Sequence, residues 1–427
     1  MRKILLATTA LVGVALGTAA PAHAAAPATS PITVNVGGYV DAIAGFDHEN
    51  VPAAFTPPGG AAVVGVNNQS HSFETEFKLS VDAMGKAMNG IQYGANISLW
   101  NGPEVTNLWT GGSNTVELNS AYVWLSGAFG KAMFGDEHGA SDLFVYAPTV
   151  GEGQVDGRYL DFLSPFAVAR MYGSGIDNTE HSTKITYYTP KVGNENHKVQ
   201  LGVSYAPQMY DYGSGGLQTN QTGGNFVNNG LLNGPASPYQ DLLKGAVQYT
   251  GNFHPVNVTA SAQILNGSAQ NTGGANPYLF NYAPATGNNS PFQSFTAWGL
   301  GTQVAFSGFT VGGSYNDLGH YGATHGQNKS QQNFTLGGKY EMDKVAVGIS
   351  WLNGQGYDNL LAVPAAGTVT GTNYVGSFNA YGAGATYTWF PGLTSAVDGV
   401  IFNQDVDTVA GGHNDGYVFL VSQKLTF

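Results

Sequence analysis

The sequence predicts an all-β protein, a transmembrane antiparallel β-barrel of about 16 strands. Three observations predict it. Strand-like segments are joined by connections that are short and long by turns. Charged residues keep to one phase of the strands and large apolar residues to the other. The last strand, Gly416 to Phe427, carries Tyr417, Phe419, Val421, Gln423, Leu425 and Phe427 in one phase and Ser422, Lys424 and Thr426 in the other, giving one greasy and one wet face.

The beginning of the chain reads as an export signal. Arg2 and Lys3 are followed by a short apolar run, Ile4 to Gly17, and by the A-x-A-like site Ala22-His23-Ala24. Residues 1–24 are therefore expected to be a signal peptide and residues 25–427 the barrel domain. No later segment approaches the ~18 consecutive apolar residues of a membrane helix. Charged residues make up 10% of the chain, against roughly 25% in a soluble globule. Twenty-seven acidic residues face 15 basic ones, two of them in the leader, which argues against nucleic-acid partners. The absence of cysteine excludes a disulfide scaffold and thiolate metal sites.

Sixteen candidate strands follow in order: 32–46, 71–84, 90–101, 115–126, 130–136, 183–191, 198–207, 243–253, 256–266, 294–306, 308–318, 332–342, 344–353, 377–390, 393–404 and 415–427. Most are near the ~9–11 residues that a tilted strand needs to cross a bilayer. Seven tight connections alternate with eight long ones, at 47–70, 102–114, 137–182, 208–242, 267–293, 319–331, 354–376 and 405–414. That sorting places both termini on the short-turn side, the periplasmic side of an outer-membrane barrel. A further pair hidden in 208–242 would make the count 18.

Charge phase supports the same reading. Phe73, Phe77, Leu79 and Val81 oppose Glu74, Glu76, Lys78 and Asp82. Phe334, Leu336 and Tyr340 oppose Lys339 and Glu341; Val247 and Tyr249 oppose Lys244; Val397 and Ile401 oppose Asp398. A lysine on the lipid face at mid-bilayer costs roughly 2–4 kcal/mol, which explains the separation. A sheet packed on a soluble core predicts the same alternation, but neither the sorted loops nor the aromatic placement. Phe253, Phe306, Tyr340, Trp389 and Phe427 fall at the short-turn ends, and Trp298, Tyr315, Phe334, Trp351 and Tyr417 nearer the long loops. Such rings mark two membrane interfaces.

The chain resembles the Gram-negative general porins, particularly the 16-stranded α-proteobacterial type, over nearly its whole length. The resemblance rests on the opening Val36-Gly37-Gly38-Tyr39-Val40-Asp41-Ala42, on the closing Phe427 and above all on Ala121 to Asp142, AYVWLSGAFGKAMFGDEHGASD. That stretch is similar to the porin segment that turns from the fourth strand into the fifth and launches the third loop. The resemblance implies a homotrimer in the outer membrane of a Gram-negative bacterium, in contact with lipid and lipopolysaccharide. It implies a water-filled pore in each barrel and a third loop folded inward to narrow it. The family commonly has Arg after the glycine that ends the fifth strand; here Gly135 is followed by Asp136.

A barrel this wide leaves an aqueous channel, and its selectivity comes from the charges at its narrowest part. The third long connection carries Asp136, Glu137, Asp142, Glu152, Asp156, Asp161, Asp177 and Glu180. Its only basic residues, Arg158 and Arg170, are the only arginines after the leader. An arginine fork can hold carboxylates bidentately and stiffen such a loop. The candidate constriction is therefore Asp136, Glu137, Asp142, Glu152, Asp156, Arg158, Asp161 and Arg170. The candidate lumen wall is acidic at Glu74, Glu76, Asp82 and Glu117, and basic at Lys78, Lys184, Lys244, Lys339 and Lys424.

The expected function is passive diffusion of ions and small hydrophilic solutes, with mild cation preference. A substrate-specific channel, for sugars for example, is the alternative, and an aromatic slide drawn from Trp100, Trp109, Tyr146, Phe162, Phe166 and Tyr172 would favour it. A structural or adhesive surface barrel is a further alternative. Converging carboxylates in the third loop would suit Ca²⁺, although no EF-hand spacing is present. The histidines are scattered and no hydrolase, zinc or nucleotide motif occurs, so no enzyme activity and no other cofactor is expected.

Overall fold

A computed structural model describes residues 32–50, 54–55, 63–64, 70–101, 116–163, 182–208, 239–269, 293–321, 330–358, 374–406 and 412–427. Sixteen antiparallel strands form a closed ring: β1 Thr33–Glu49, β2 His71–Lys86, β3 Gln92–Trp100, β4 Glu117–Gly127, β5 Gly130–Asp136, β6 Thr183–Tyr188, β7 His197–Gln208, β8 Tyr239–Asn252, β9 Asn257–Ala269, β10 Phe295–Phe306, β11 Phe309–Gly319, β12 Gln331–Met342, β13 Val345–Asp358, β14 Tyr374–Phe390, β15 Leu393–Val406 and β16 Gly412–Thr426. Each strand pairs with its neighbour in sequence, and β1 pairs with both β2 and β16. Closure leaves no unpaired edge, which a bilayer would penalise heavily.

The closing seam is fixed in register from Tyr39 opposite Thr426 to Glu49 opposite Gly416. Gly38 and Phe427 complete it with reciprocal backbone hydrogen bonds of 3.0 Å. Thr426 N–H also donates to Gly392 O at 2.7 Å, so the carboxy-terminal end lies beside the tight Pro391-Gly392 turn. No extra pair stands between β7 and β8 in the ring, because the two pair directly from His197–Gly251 to Gln208–Gln240; of the segment 208–242 that an 18-stranded barrel would need, residues 209–238 lie outside the described residues. A short Val192–Gly193 extension beyond Pro190 pairs with Lys198 and Val199, so the predicted strand 183–191 is interrupted. Proline has no N–H for a ladder bond, which accounts for the break. At the β10–β11 hairpin, Ser307 and Gly308 adopt φ of 48° and 85°, matching the twist that a two-residue turn needs.

The outward phase is apolar. Phe73, Ile349, Ile401 and Phe419 stand exposed on it, as lipid-facing residues of a membrane barrel do. Rings cluster at both ends: Trp298 with Tyr315 and Phe334 with Trp351 on one side, Phe309 with Tyr340 and Tyr387 with Trp389 on the other.

The inward phase departs from the predicted wet face. Val418 and Leu420 of β16 point into the barrel and are 1% exposed. With Ile43, Leu352, Phe378, Val400 and Phe402 they form a buried apolar cluster inside the ring. Its other half is Val155, Tyr159, Leu160, Phe162 and Leu163 of the third loop. The inner wall is greasy there because a loop, rather than water, lies against it. Full burial of such a side chain is worth roughly 1.5–3 kcal/mol.

Candidate functional site

The third loop leaves β5 at Asp136 and runs inside the barrel through three short 3₁₀ turns, Gly139–Leu143, Gln154–Asp156 and Arg158–Phe162. Its first turn is anchored by Glu137. The Glu137 carboxylate accepts from Gly139 N–H at 2.7 Å and from the Thr186 hydroxyl, while the Lys184 ammonium donates to the Glu137 carbonyl. Ala140 N–H donates to Ser204 Oγ at 3.2 Å, and Ser204 sits opposite Lys244 across β7 and β8. Asp136, Glu137, Lys184 and Lys244 are all buried here. Burial takes these four charges away from passing solute. Asp142 is exposed, with its carboxylate 3.3 Å from the Tyr188 hydroxyl.

From there the loop follows the wall. Gln248 of β8 donates to Leu143 O at 2.9 Å, Val145 N–H donates to Ser261 Oγ of β9 at 2.8 Å, and Gln303 of β10 donates to Tyr146 O at 2.8 Å. Gly151 N–H donates to Thr386 Oγ1 of β14 at 3.0 Å, and Gln154 Nε2 donates to Gly348 O of β13 at 2.8 Å. Glu152 makes two contacts: its N–H donates to the Asp398 carboxylate of β15, and its own carboxylate accepts from Ser422 of β16. Burial pushes the Glu152 carboxyl above its ordinary pKa, with the hydrogen bond from Ser422 opposing. Burial likewise pushes the Tyr159 phenol well up.

The end of the described loop is held by Arg158. Its guanidinium contacts Glu74 and Glu76 of β2, and its Nε donates to Asp161 at 2.8 Å. Glu76 also accepts from the Tyr39 hydroxyl and, at 2.6 Å, from Trp100 Nε1. One cation thus serves three carboxylates. On the neighbouring wall, Asp82 accepts from Asn96 at 2.7 Å and Lys78 is half-buried. Arg170 and the side chain of Glu117 lie outside the described residues.

Beneath the loop is a hollow of about 510 Å³ lined by Phe144 to Thr149, Asp156, Thr259, Gln303 and Lys339. Asp156 from the loop and Lys339 from β12 share it; the Lys339 ammonium is 2.9 Å from Glu341. Among the described residues no group of three or more His, Asp or Glu side chains is arranged to hold a metal ion. Of the aromatic slide, Phe162 is buried in the loop core and Trp100 is committed to Glu76. Tyr146 lines the hollow, and Trp109, Phe166 and Tyr172 lie outside the described residues.

Sequence reasoning missed Asp41, Asp398 and Ser422 as partners of the loop and its surroundings. A signal existed: Asp41 and Asp398 are the only acids within the predicted strands 32–46 and 393–404.

A closed 16-stranded barrel with hydrophobic girdles and a loop laid inside it defines a pore-forming outer-membrane protein. A profile described as Gram-negative porin matches residues 7–405. The chain belongs to that family. No curated protein sequence matches it. Among solved structures it is similar to a loop L8 deletion mutant of OmpT, an outer membrane protein of Vibrio cholerae, at 11% identity and TM-score 0.52, covering 93% of this chain and 99% of that one. The trimer form of OmpT from Vibrio cholerae matches at 11% identity and TM-score 0.52, over 93% of this chain and 100% of that one. An anion-selective porin from Comamonas acidovorans matches at 13% identity and TM-score 0.50, over 93% and 100%. At these identities the likeness concerns the fold.

Proposed function

We propose that the protein is a non-specific, mildly cation-selective porin of a Gram-negative outer membrane, with its third loop as the constriction. The observation that carries the selectivity is the charge balance along that loop. Arg158 is shared by Glu74, Glu76 and Asp161, so the loop's one described cation is more than neutralised. Asp142 and Asp156 are the acids best placed to meet a permeating ion, Asp142 by its exposure and Asp156 by its place in the hollow. Asp136, Glu137 and Glu152 serve to seat the loop. Lys339 shares the hollow with Asp156 and tempers the preference.

The mature protein is residues 25–427, released from the signal peptide 1–24. It works as a homotrimer, a reading supported by the trimeric form of one structural relative. Its outer face meets lipid and lipopolysaccharide. The α-proteobacterial type is supported by the opening strand and by the segment Ala121 to Asp142.

The test is the reversal potential of single channels in a planar bilayer under a KCl gradient. Wild type is expected to be cation-selective, and Asp142→Asn/Asp156→Asn to move the potential toward anions. An unchanged potential would remove these two residues from the constriction.

A further inference from the structure

We propose that the course of the third loop, and with it the cross-section left open to solute, is set by glycines on the inner wall that admit the loop strand by strand. The proposal rests on the reading of the loop as the constriction. At Gly202 of β7 an added Cβ would press on Leu143 at 3.0 Å. At Gly301 of β10 it would overlap the Val145 carbonyl oxygen, and at Gly337 of β12 the Pro148 carbonyl oxygen. At Gly348 of β13 it would meet Val150 at 3.2 Å and the Gly338 carbonyl oxygen of the neighbouring strand at 3.1 Å, at Gly382 of β14 Gln154 at 2.9 Å, and at Gly45 of β1 the Phe162 ring. The order is colinear: loop residues 143, 145, 148, 150, 154 and 162 meet successive sectors of the ring, with β1 following β16 around the closure.

Backbone conformation does not require these glycines. None of the six has a φ in the left-handed region, so any residue fits their dihedrals. Glycine in a strand interior weakens the strand and gives it no side chain to pack. What the six share is a piece of the loop where a side chain would be. Polar anchors sit between them: Ser261 on Val145, Gln303 on Tyr146, and Thr386 on Gly151. Together they press the loop flat to the wall. A side chain at Gly301 or Gly337 displaces the loop toward the barrel axis, and a wall-hugging loop that moves inward narrows the pore.

The experiment is single-channel conductance of Gly337→Val and Gly301→Val, with folding checked by heat-modifiable gel mobility. Loop position is read separately, by the rate at which a charged methanethiosulfonate labels Thr149→Cys in each background. The chain has no native cysteine, so this thiol is the only target. The expected result is a conductance lowered by roughly a third, together with faster labelling. Gly245→Ala and Gly399→Ala are controls, because an added Cβ there meets nothing closer than 3.6 Å and 4.0 Å respectively; both are expected to behave as wild type. Folded Gly337→Val with unchanged labelling and conductance overturns the proposal, and so does an equal drop in the controls. Faster labelling with unchanged conductance upholds the glycine placement and overturns the constriction reading instead. Should the valine variants fail to fold, Gly348→Ala and Gly382→Ala carry the same comparison with a smaller shift.

Discussion

Lys424 Nζ lies 2.8 Å from Asp41 Oδ2 across the seam where the last strand meets the first, and Asp41 is fully buried. The two residues are register partners in the β1–β16 ladder. The lysine also sits 4.7 Å from the centre of the Tyr39 ring. Removing one partner of a buried ion pair costs roughly 3–5 kcal/mol. With the Lys424 side chain 34% exposed, a smaller loss of about 2 kcal/mol is expected for Lys424→Met. Denaturant unfolding in vesicles measures it, and Asp41→Asn/Lys424→Met should recover much of the loss. A double variant as unstable as the single one would show that the pair is not what Lys424 contributes.

Arg158 holds the far end of the described loop against β2. Arg158→Gln leaves Glu74, Glu76 and Asp161 facing one another without a cation. Docking of residues 154–163 is expected to weaken by about 3 kcal/mol, a value reduced for partial exposure. Noisier open-channel current is the readout. Adding Glu74→Gln and Asp161→Asn should quieten it again, and a quiet Arg158→Gln channel would assign loop retention to the apolar cluster alone.

Docking should also depend on pH through Glu152. Its carboxyl, ordinarily at 4.5, is raised by burial. A raised carboxyl pKa means that the docked state holds its proton more tightly than the free loop does. Its contribution to docking is therefore largest below 4.5 and is lost as pH climbs through the raised value. Labelling of Thr149→Cys, corrected for the reagent's own pH dependence, should quicken over that interval. Glu152→Gln should flatten the profile; an unchanged slope would place the titrating group elsewhere.

Export processing gives a direct chemical check. Mass spectrometry of the protein purified from outer membranes should find Ala25 as the first residue. A chain beginning at Met1 would mean that residues 1–24 are not a cleaved leader.

The barrel was legible because bilayer physics writes itself into sequence in period two. Lysine and carboxylate phase, turn lengths and girdle rings located all 16 strands, most ends falling within a few residues. The alternation in β12, with Lys339 opposing Leu336 and Tyr340, carried over directly to the structure. Strand β6 ends at Tyr188, short of the predicted 183–191, because Pro190 cannot donate to the ladder. The loop's acids were visible as a cluster, but their partners were not. Which strand Glu152 or Arg158 meets depends on contacts separated by 270 residues for Ser422 and 84 for Glu74, and no local pattern encodes such distances. The greasy inner wall did leave a trace, since Tyr417 to Val421 is apolar in both phases. That run says only that both faces of the strand will be covered, and leaves the cover unnamed.

The same double-sided strand has a consequence for the chain in transit. Val418 and Leu420 are covered by the loop and by apolar neighbours on the inner wall, while Phe419 and Val421 stand exposed on the outer face. Before insertion neither cover exists, and the segment from Gly416 to Val421 is a short β-prone stretch without lysine, arginine, acid or proline. Such stretches are where unfolded chains stick to one another. Keeping this strand sequestered until the barrel has closed would therefore suppress self-association, and a charge placed at Val418 would make the unfolded chain more soluble while spoiling the packing of the loop against the wall.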